Sequence, residues 1–375
     1  MKKRTTIFFA LMLMLALTAC SSGNTPAPSA APTPAPVASA PAPAAPAPST
    51  TPAPTPEAPK EPELSGTMNV VCTSESYVPL FAKFTEATGV KVEFLSMSSG
   101  EVLSKIEAEG NSTLDMWFGG GIDAFMSAKE KGYLDQVSFE GLDKFAPEFK
   151  DADNLWIAKG LTIAGFIVND AIMEEKSLPL PATWDDLQNP VYKDELIMSN
   201  PAISGTNYAV VNALLQAKGD EGWAHWEAVN ENVLYYSRRG SDPLNKTAAG
   251  EVAVGITYID RKVEALAEEQ GLTVIYPTDG IPFVPEGVAV FKDSPNNAAA
   301  HAFIEWLYTN DENLVMLADI DGKDGIKIIK PEMVGVDLTI DTSILIDVDL
   351  SLYGSQRDEI LEKWNVMMGD KAEQE

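Results

Sequence analysis

The chain has 375 residues, with 55 acidic and 27 basic side chains and a formal net charge of −28 at pH 7. Nucleic acid and anionic lipid surfaces both repel so acidic a protein, which excludes them as electrostatic partners. Two cysteines and two histidines also leave too few soft ligands for a cysteine metal cage.

The N-terminus is typical of a secretory signal. Lys2, Lys3 and Arg4 precede an apolar run at residues 7–17 that is too short for a permanent membrane span. The run ends in Leu-Thr-Ala-Cys, which resembles the lipobox of bacterial lipoproteins. We therefore expect a signal peptide at residues 1–20 and a lipid on Cys20. The alternative is an ordinary signal peptide with an incidental cysteine.

Residues 24–62 are almost entirely Pro, Ala, Ser and Thr. This composition has too little apolar surface to bury and too much proline for regular hydrogen-bonded structure. We expect residues 21–64 to form a disordered tether that is dispensable for binding.

From residue 66 onwards, short strand patterns alternate with helix patterns. Residues 68–72 and 91–95 are predicted strands, and residues 78–87 and 101–109 are predicted helices. Such alternation implies parallel strands with crossover helices, and hence an α/β fold. Ligands of such sheets bind beyond the carboxyl ends of the strands, so the loops at 73–76, 96–100 and 119–121 are expected to converge. Cys72 is expected to lie in a buried strand.

The apolar stretch at residues 155–168 is long enough to pass from one lobe to another. A second α/β unit is predicted after it, and its parts are strand 196–199, helix 208–217, strand 233–236, helix 244–249 and strand 253–258. The chain returns through strands at 273–276 and 287–291, and helices follow near 298–308 and 356–368. We therefore predict one lobe from residues 66–163 plus about 281–375, and a second from residues 164–280.

Six segments together resemble one family, the extracellular solute-binding proteins that include receptors for ferric ion, thiamine, polyamines, 2-aminoethylphosphonate and phosphosugars. The segments are FTEATGVKV (84–92), LDMWFGGG (114–121), LPATWDDL (180–187), NPAISGT (200–206), AGEVAVGI (249–256) and PEGVAV (285–290). The resemblance implies a type II periplasmic-binding-protein fold, in which two lobes, each a mixed sheet flanked by helices, are joined by crossover strands. It also implies a ligand in the cleft between the lobes, closure by hinge motion and delivery to an ABC permease.

Residues 204–206, Ser-Gly-Thr, are the strongest candidate for ligand binding. They follow a strand and open a helix, where free backbone N–H groups and two hydroxyls suit a phosphate, phosphonate or carboxylate. The alternative is helix capping by Ser204 or Thr206. Residue 207 is Asn, so no capping box is completed there.

Three further positions are weaker candidates. Ser98 and Glu101 form a capping-box pattern, which leaves Ser99 as the contact that the resemblance implies for this loop. Ser74, at the end of the first strand, is comparable. Arg238 could clamp an oxyanion with two parallel hydrogen bonds, although the sequence does not separate it from Arg239.

A metal site is not predicted. Ferric receptors of this family carry adjacent tyrosines, whereas this chain has Tyr258 followed by Ile259. Tyr235 and Tyr236 are adjacent, but successive side chains of a strand point to opposite faces. Tyr258 is retained as a candidate ligand contact.

The sequence contains no G-x-S-x-G, H-E-x-x-H or P-loop motif, so no enzyme is predicted. The expected function is that of a monomeric, lipid-anchored receptor, outside the cytoplasm, for a small phosphorylated or phosphonate solute, without a cofactor. Capture of iron or thiamine is the alternative within the family. A surface adhesin or a sensor ectodomain is the alternative from another class.

Overall fold

The computed structural model describes residues 64–110 and 113–373. The predicted signal peptide, Cys20 and the tether up to residue 63 lie outside the described residues.

Ten strands are described, and each predicted strand has a counterpart among them. They are β1 (Thr67–Cys72), β2 (Lys91–Ser96), β3 (Met116–Gly121), β4 (Leu134–Asp135), β5 (Ile157–Asn169), β6 (Leu196–Ser199), β7 (Val233–Ser237), β8 (Val254–Ile259), β9 (Leu272–Ile275) and β10 (Phe283–Phe291).

Thirteen α-helices are described in the same residues. They are α1 (Val78–Thr88), α2 (Ser99–Glu109), α3 (Ile122–Glu130), α4 (Asp170–Lys176), α5 (Gly205–Lys218), α6 (Gly222–Asn232), α7 (Asp242–Ala248), α8 (Arg261–Gln270), α9 (Asn297–Thr309), α10 (Asp311–Asp321), α11 (Ile326–Ile329), α12 (Ser351–Ser355) and α13 (Arg357–Met368).

Two groups of parallel strands are joined by two long antiparallel strands. The order is β2-β1-β3-β10-β5-β8-β6-β7, with β4 beside β10 and β9 beside β5. β1 pairs parallel with β2 and β3, and β6 pairs parallel with β7 and β8. The first half of β5 pairs with β10 and the second half with β8. This is the two-lobed α/β architecture that the sequence predicted, with β5 and β10 as crossovers. The residue boundaries of the lobes stay a prediction.

Burial explains the apolar run that marked the first crossover. All thirteen residues of β5 are buried, because strands cover it on both edges and helices cover its faces. Cys72 is fully buried at the end of β1, as predicted.

The packing of the C-terminal segment was not predicted. The Trp364 ring in α13 meets the rings of Trp226 in α6 and Tyr236 in β7 edge-on, with centroids 5.4 and 5.2 Å away. The predicted boundaries place α6 and β7 in the second lobe but α13 in the first. Residues 351–368 therefore contact elements on both sides of the predicted boundary. No helix of the described residues is both long and apolar enough to span a bilayer.

Candidate functional site

A cleft of about 830 Å³ opens at the carboxyl ends of the strands. The loops after β1, β2 and β3 line one side, as the parallel-strand argument predicted. The starts of α5 and α7 and the end of β8 line the other side, and residues of β5 and β10 line the floor. The crossover strands thus lie beneath a site that both halves of the molecule enclose.

Six of the seven predicted contact residues lie on the lining of this cleft: Ser74, Ser99, Ser204, Gly205, Thr206 and Tyr258. Arg238 is the exception, because the lining includes its neighbour Arg239. The backbone N–H of Arg238 donates to Glu373 Oε2 at 3.1 Å, which ties this residue to the C-terminus. The structure therefore places Arg239, the member of the pair that the sequence did not separate from Arg238, on the cleft lining. Whether any of these residues binds a ligand stays a prediction.

The N-termini of α2 and α5 meet at one end of the cleft. Gly100 N–H donates to Ile203 C=O at 3.1 Å, and a Cβ at Gly100 would overlap the carbonyl oxygen of Ala202. A Cβ at Gly205 would lie 2.7 Å from Ser99 Oγ and 2.9 Å from Gly121 N. Only glycine permits this approach at both positions. The positive ends of two helix dipoles therefore both lie at the lining of the cleft.

Some hydroxyls at this end are used by the fold. Ser204 is the N-cap of α5, and its Oγ accepts from Asn207 N and from Asn207 Nδ2, each at 3.3 Å. Ser98 N–H donates to Glu101 Oε2 at 2.9 Å in the predicted capping box of α2. These caps leave the hydroxyls of Ser99 and Thr206 outside the capping bonds. Ser204 thus caps α5, as the alternative interpretation held. The Ser204 hydroxyl can still donate its proton to an acceptor in the cleft.

The floor carries a cluster of buried charges that the sequence analysis did not single out. This ion cluster comprises Lys159 and Thr162 of β5, Glu286 of β10, Asp321 at the end of α10 and Lys323 just after it. Lys159 Nζ lies 2.6 Å from Glu286 Oε2 and 2.7 Å from Asp321 Oδ2. Lys323 Nζ lies 2.9 Å from Glu286 Oε1 and 2.6 Å from Thr162 Oγ1. Two lysines and two carboxylates cancel, so the cluster adds no net charge to the cleft.

Pairing decides the protonation of the ion cluster. Burial by itself would raise the pKa of Glu286, but the two adjacent lysines hold that pKa well below its usual range. Burial likewise acts to lower the pKa of Lys159, and Asp321 and Glu286 overcome it and raise that pKa. Glu286 and Lys159 are therefore both charged at neutral pH.

A β-bulge turns Glu286 into the cleft. The register of β10 shifts after Glu286 against both β5 and β3. A bulge re-aims the side chain at the irregularity, and this one lies between two neighbouring strands. The segment PEGVAV supported the family resemblance, and its Glu-Gly pair was the available signal for a functional bulge.

Tyr258 and Asp260 occupy the end of β8. Burial, followed by the charge of Asp260, raises the pKa of Tyr258, so the phenol keeps its proton. Its neighbour Ile259 is in the core. Asp260 Oδ1 caps α8 by accepting from Lys262 N and Val263 N at 2.9 and 2.8 Å. Asp260 was not predicted as a cleft residue.

The two other adjacent tyrosines diverge, as predicted for a strand. Tyr235 Oη lies 3.3 Å from Glu251 Oε2, whereas Tyr236 Oη donates to Asn230 Oδ1 at 2.8 Å on the other face. Within the described residues there is no group of three or more His, Cys, Asp and Glu side chains arranged to hold a metal ion.

Comparison with protein families decides the class of protein. The model of bacterial extracellular solute-binding proteins matches residues 79–323. The chain belongs to this family. It is accordingly a solute-binding protein of an ABC importer, and the proteins of this family serve transport rather than catalysis.

Individual relatives of this solute-binding protein agree with the fold. An uncharacterised protein of Haemophilus influenzae is 26% identical over 310 residues, which cover 79% of this chain and 87% of that protein. The phosphoglycerate transport regulatory protein PgtC of Salmonella typhimurium is 33% identical over 153 residues, only 40% of this chain and 38% of PgtC.

Solved structures extend the comparison. The periplasmic binding protein AfuA of Actinobacillus pleuropneumoniae, with fructose-6-phosphate bound, has a TM-score of 0.73 and 26% identity over 81% of this chain and 99% of AfuA. The apo ferric ion-binding protein A of Pasteurella haemolytica has a TM-score of 0.63 and 18% identity, covering 80% of this chain and 97% of that one. The second likeness concerns the fold alone.

Proposed function

We propose that this solute-binding protein captures a small phosphorylated or phosphonate compound in the cleft and delivers it to its permease. The observation that carries the proposal is the meeting of the α2 and α5 N-termini at one end of the cleft, beside Ser99 and Thr206. Backbone N–H groups and two helix dipoles offer an anion many donors there without a net positive side-chain cluster. The fructose-6-phosphate bound to AfuA is consistent with such a ligand.

The cleft lining carries five acidic and three basic side chains, so the preference for an anion rests on the helix starts and not on net side-chain charge. The ion cluster on the floor is balanced, so it does not oppose an anion as two unpaired carboxylates would. Arg239 lies on the lining beside the start of α7 and supplies a positive charge. We propose Ser74, Ser99, Ser204, Gly205, Thr206 and Tyr258 as contacts, with Arg239 in place of Arg238.

Ferric ion is the less favoured solute. The Tyr258 phenol on the cleft lining keeps its proton, and the adjacent side chain is buried isoleucine. The end of β8 therefore does not offer two adjacent phenolates to Fe(III). Two relatives whose names include iron match 61% and 60% of this chain, at 27% and 25% identity.

The proposal further includes attachment to the membrane through a lipid on Cys20 and a monomeric receptor.

A matched pair of ligands tests the phosphate assignment. Calorimetry would compare fructose 6-phosphate with fructose, and 2-aminoethylphosphonate with ethanolamine. We expect binding of at least one phosphorus compound and none of its partner without phosphorus. Saturation at a hundred times the dissociation constant would also add about 2.7 kcal/mol to the free energy of unfolding. Equal binding of both members of each pair would refute the assignment, and binding of Fe(III) citrate alone would establish the alternative.

Thr206→Ala tests the site within the cleft. Loss of one hydrogen bond to a charged group costs about 1.5–3 kcal/mol, or roughly ten- to 150-fold in affinity. Thr183→Ala is the matched control, because Thr183 Oγ1 accepts from Asp186 N at 3.1 Å as a cap outside the cleft lining. We expect Thr183→Ala to lower stability and leave affinity unchanged. If Thr206→Ala behaves in the same way, residues 204–206 form a cap and not an anion site.

A further inference from the structure

The segment formed by α12 and α13 lies beyond the residues that the family model matches, yet it reaches the anion-binding end of the cleft from behind. Tyr208 Oη donates to Tyr353 C=O at 2.8 Å, and Tyr353 Oη donates to Phe283 C=O at 3.0 Å. Asn212 Nδ2 also donates to Leu352 C=O at 3.3 Å. The segment is thereby fixed to α5 and to the crossover strand β10.

Arg357, the first residue of α13, lies at the centre of these contacts. Its Nε lies 2.8 Å from Asp123 Oδ2 in the first turn of α3, and both side chains are buried, at 6% and 1% exposure for the whole residues. Its Nη2 lies 3.5 Å from Ala202 C=O, and its guanidinium carbon lies 5.7 Å from the centroid of the Tyr208 ring. One side chain thus contacts α3 and both flanks of residues 204–206.

These contacts bear on the close approach that forms the anion site. Ala202 is the residue whose carbonyl a Cβ at Gly100 would strike, and Gly121, which precedes α3, packs against Gly205. A guanidinium holds a planar fork of donors in fixed directions, which an ammonium does not. Arg357 therefore restrains the same backbone segments whose N–H groups face the cleft.

We propose that Arg357 is a positioning residue for the anion site: through Asp123 and the 202–208 segment it holds the starts of α3 and α5 together without touching the ligand. This rests on the proposed function for its effect on binding, because the ligand must use residues 204–206. A merely structural ion pair would contribute to stability alone. Among variants of equal stability, loss of a positioning residue lowers affinity, whereas loss of a structural ion pair does not.

The test uses the full chain with fructose 6-phosphate as the probe. In Arg357→Lys the charge beside Asp123 is kept and the fork is lost. In the double variant Arg357→Gln with Asp123→Asn no charge is left buried, which protects folding. We expect both to bind the probe at least tenfold more weakly than wild type. Trp364→Phe is the control on the same segment, since its ring packs on Trp226 and Tyr236.

The control separates positioning from stability. We expect Trp364→Phe to lower the unfolding midpoint and to leave affinity within twofold of wild type. The proposal is overturned if Arg357→Lys and the double variant bind like wild type. It is also overturned if Trp364→Phe, at the same loss of stability, loses as much affinity as the Arg357 variants.

Amide hydrogen exchange of the ligand-free protein makes the outcome independent of the ligand. Gly100 N donates to Ile203 C=O between the two helix starts, and Tyr208 N donates to Ser204 C=O within the first turn of α5. Exchange at Gly100 therefore reports the approach of the helix starts, and exchange at Tyr208 reports the order of the α5 start. We expect faster exchange at both in the Arg357 variants and not in Trp364→Phe. If wild type does not bind the probe, the proposed function fails for phosphosugars. The exchange data then still decide the positioning role, because unchanged exchange would refute it.

Discussion

Removal of Lys159, which is buried beneath the cleft, should strongly destabilise the protein. Its side chain is fully buried and contacts both carboxylates of the ion cluster, Glu286 at 2.6 Å and Asp321 at 2.7 Å. Lys159→Met would leave two buried carboxylates with one lysine. Breaking a buried pair by removal of one partner costs about 3–5 kcal/mol, because a buried charge is left uncompensated.

A second substitution should relieve part of this cost. In Lys159→Met with Asp321→Asn the cluster retains Glu286 and Lys323, which are 2.9 Å apart and balanced. We expect the double variant to be at least about 2 kcal/mol more stable than Lys159→Met. Urea unfolding followed by tryptophan fluorescence at pH 7 measures each difference from the midpoint and slope. A loss below about 1 kcal/mol in Lys159→Met, or a further loss on adding Asp321→Asn, would refute the argument from uncompensated charge.

Three other predictions address pH, charge and metal. Burial lowers the pKa of His225 in the folded protein to about 4. As the pH falls from 6.5 to 4, the unfolded chain therefore binds a proton before the folded protein does. The free energy of unfolding should decrease by up to about 3 kcal/mol over this range. His225→Gln should flatten this slope in urea titrations at several pH values, and an unchanged slope would contradict it. Ser204→Asp should retain the N-cap of α5, and therefore the thermal midpoint, while abolishing binding of fructose 6-phosphate; undiminished binding would exclude an anion at this position. Ferric citrate should give no visible charge-transfer band with the protein, whereas a band lost in Tyr258→Phe would show an iron site.

The sequence predicted those features that depend on local pattern. Alternation and helical spacing located β1, β2 and β6 to within one residue at each end. The rule that parallel strands end at one edge then brought the loops after β1, β2 and β3 together. Several helices, including the strongly polar α8, were not identified. In α8, for example, only Val263 and Ala267 are buried.

The parts that were not predicted depend on contacts between distant segments. Glu286 enters the cleft because a bulge forms where β10 pairs with two strands, and a single sequence does not give that pairing. Arg239 was not separable from Arg238 before the contact of the latter with Glu373 was known. Arg357 and Asp123 are 234 positions apart. Charged residues at such separation carry no periodic signal.

The junction of α2 and α5 has a consequence for release. Under the proposed function each helix would supply part of the donor set, and a backbone hydrogen bond from Gly100 to Ile203 joins the two starts. An anion held there completes the junction, so bound solute favours the approach of the two helices. Any motion that parts them divides the donors between two separated surfaces, and each surface alone binds the anion more weakly. If the proposed function holds, opening and release would be one event, and a permease that separates these two helix ends would release the solute without competing for it.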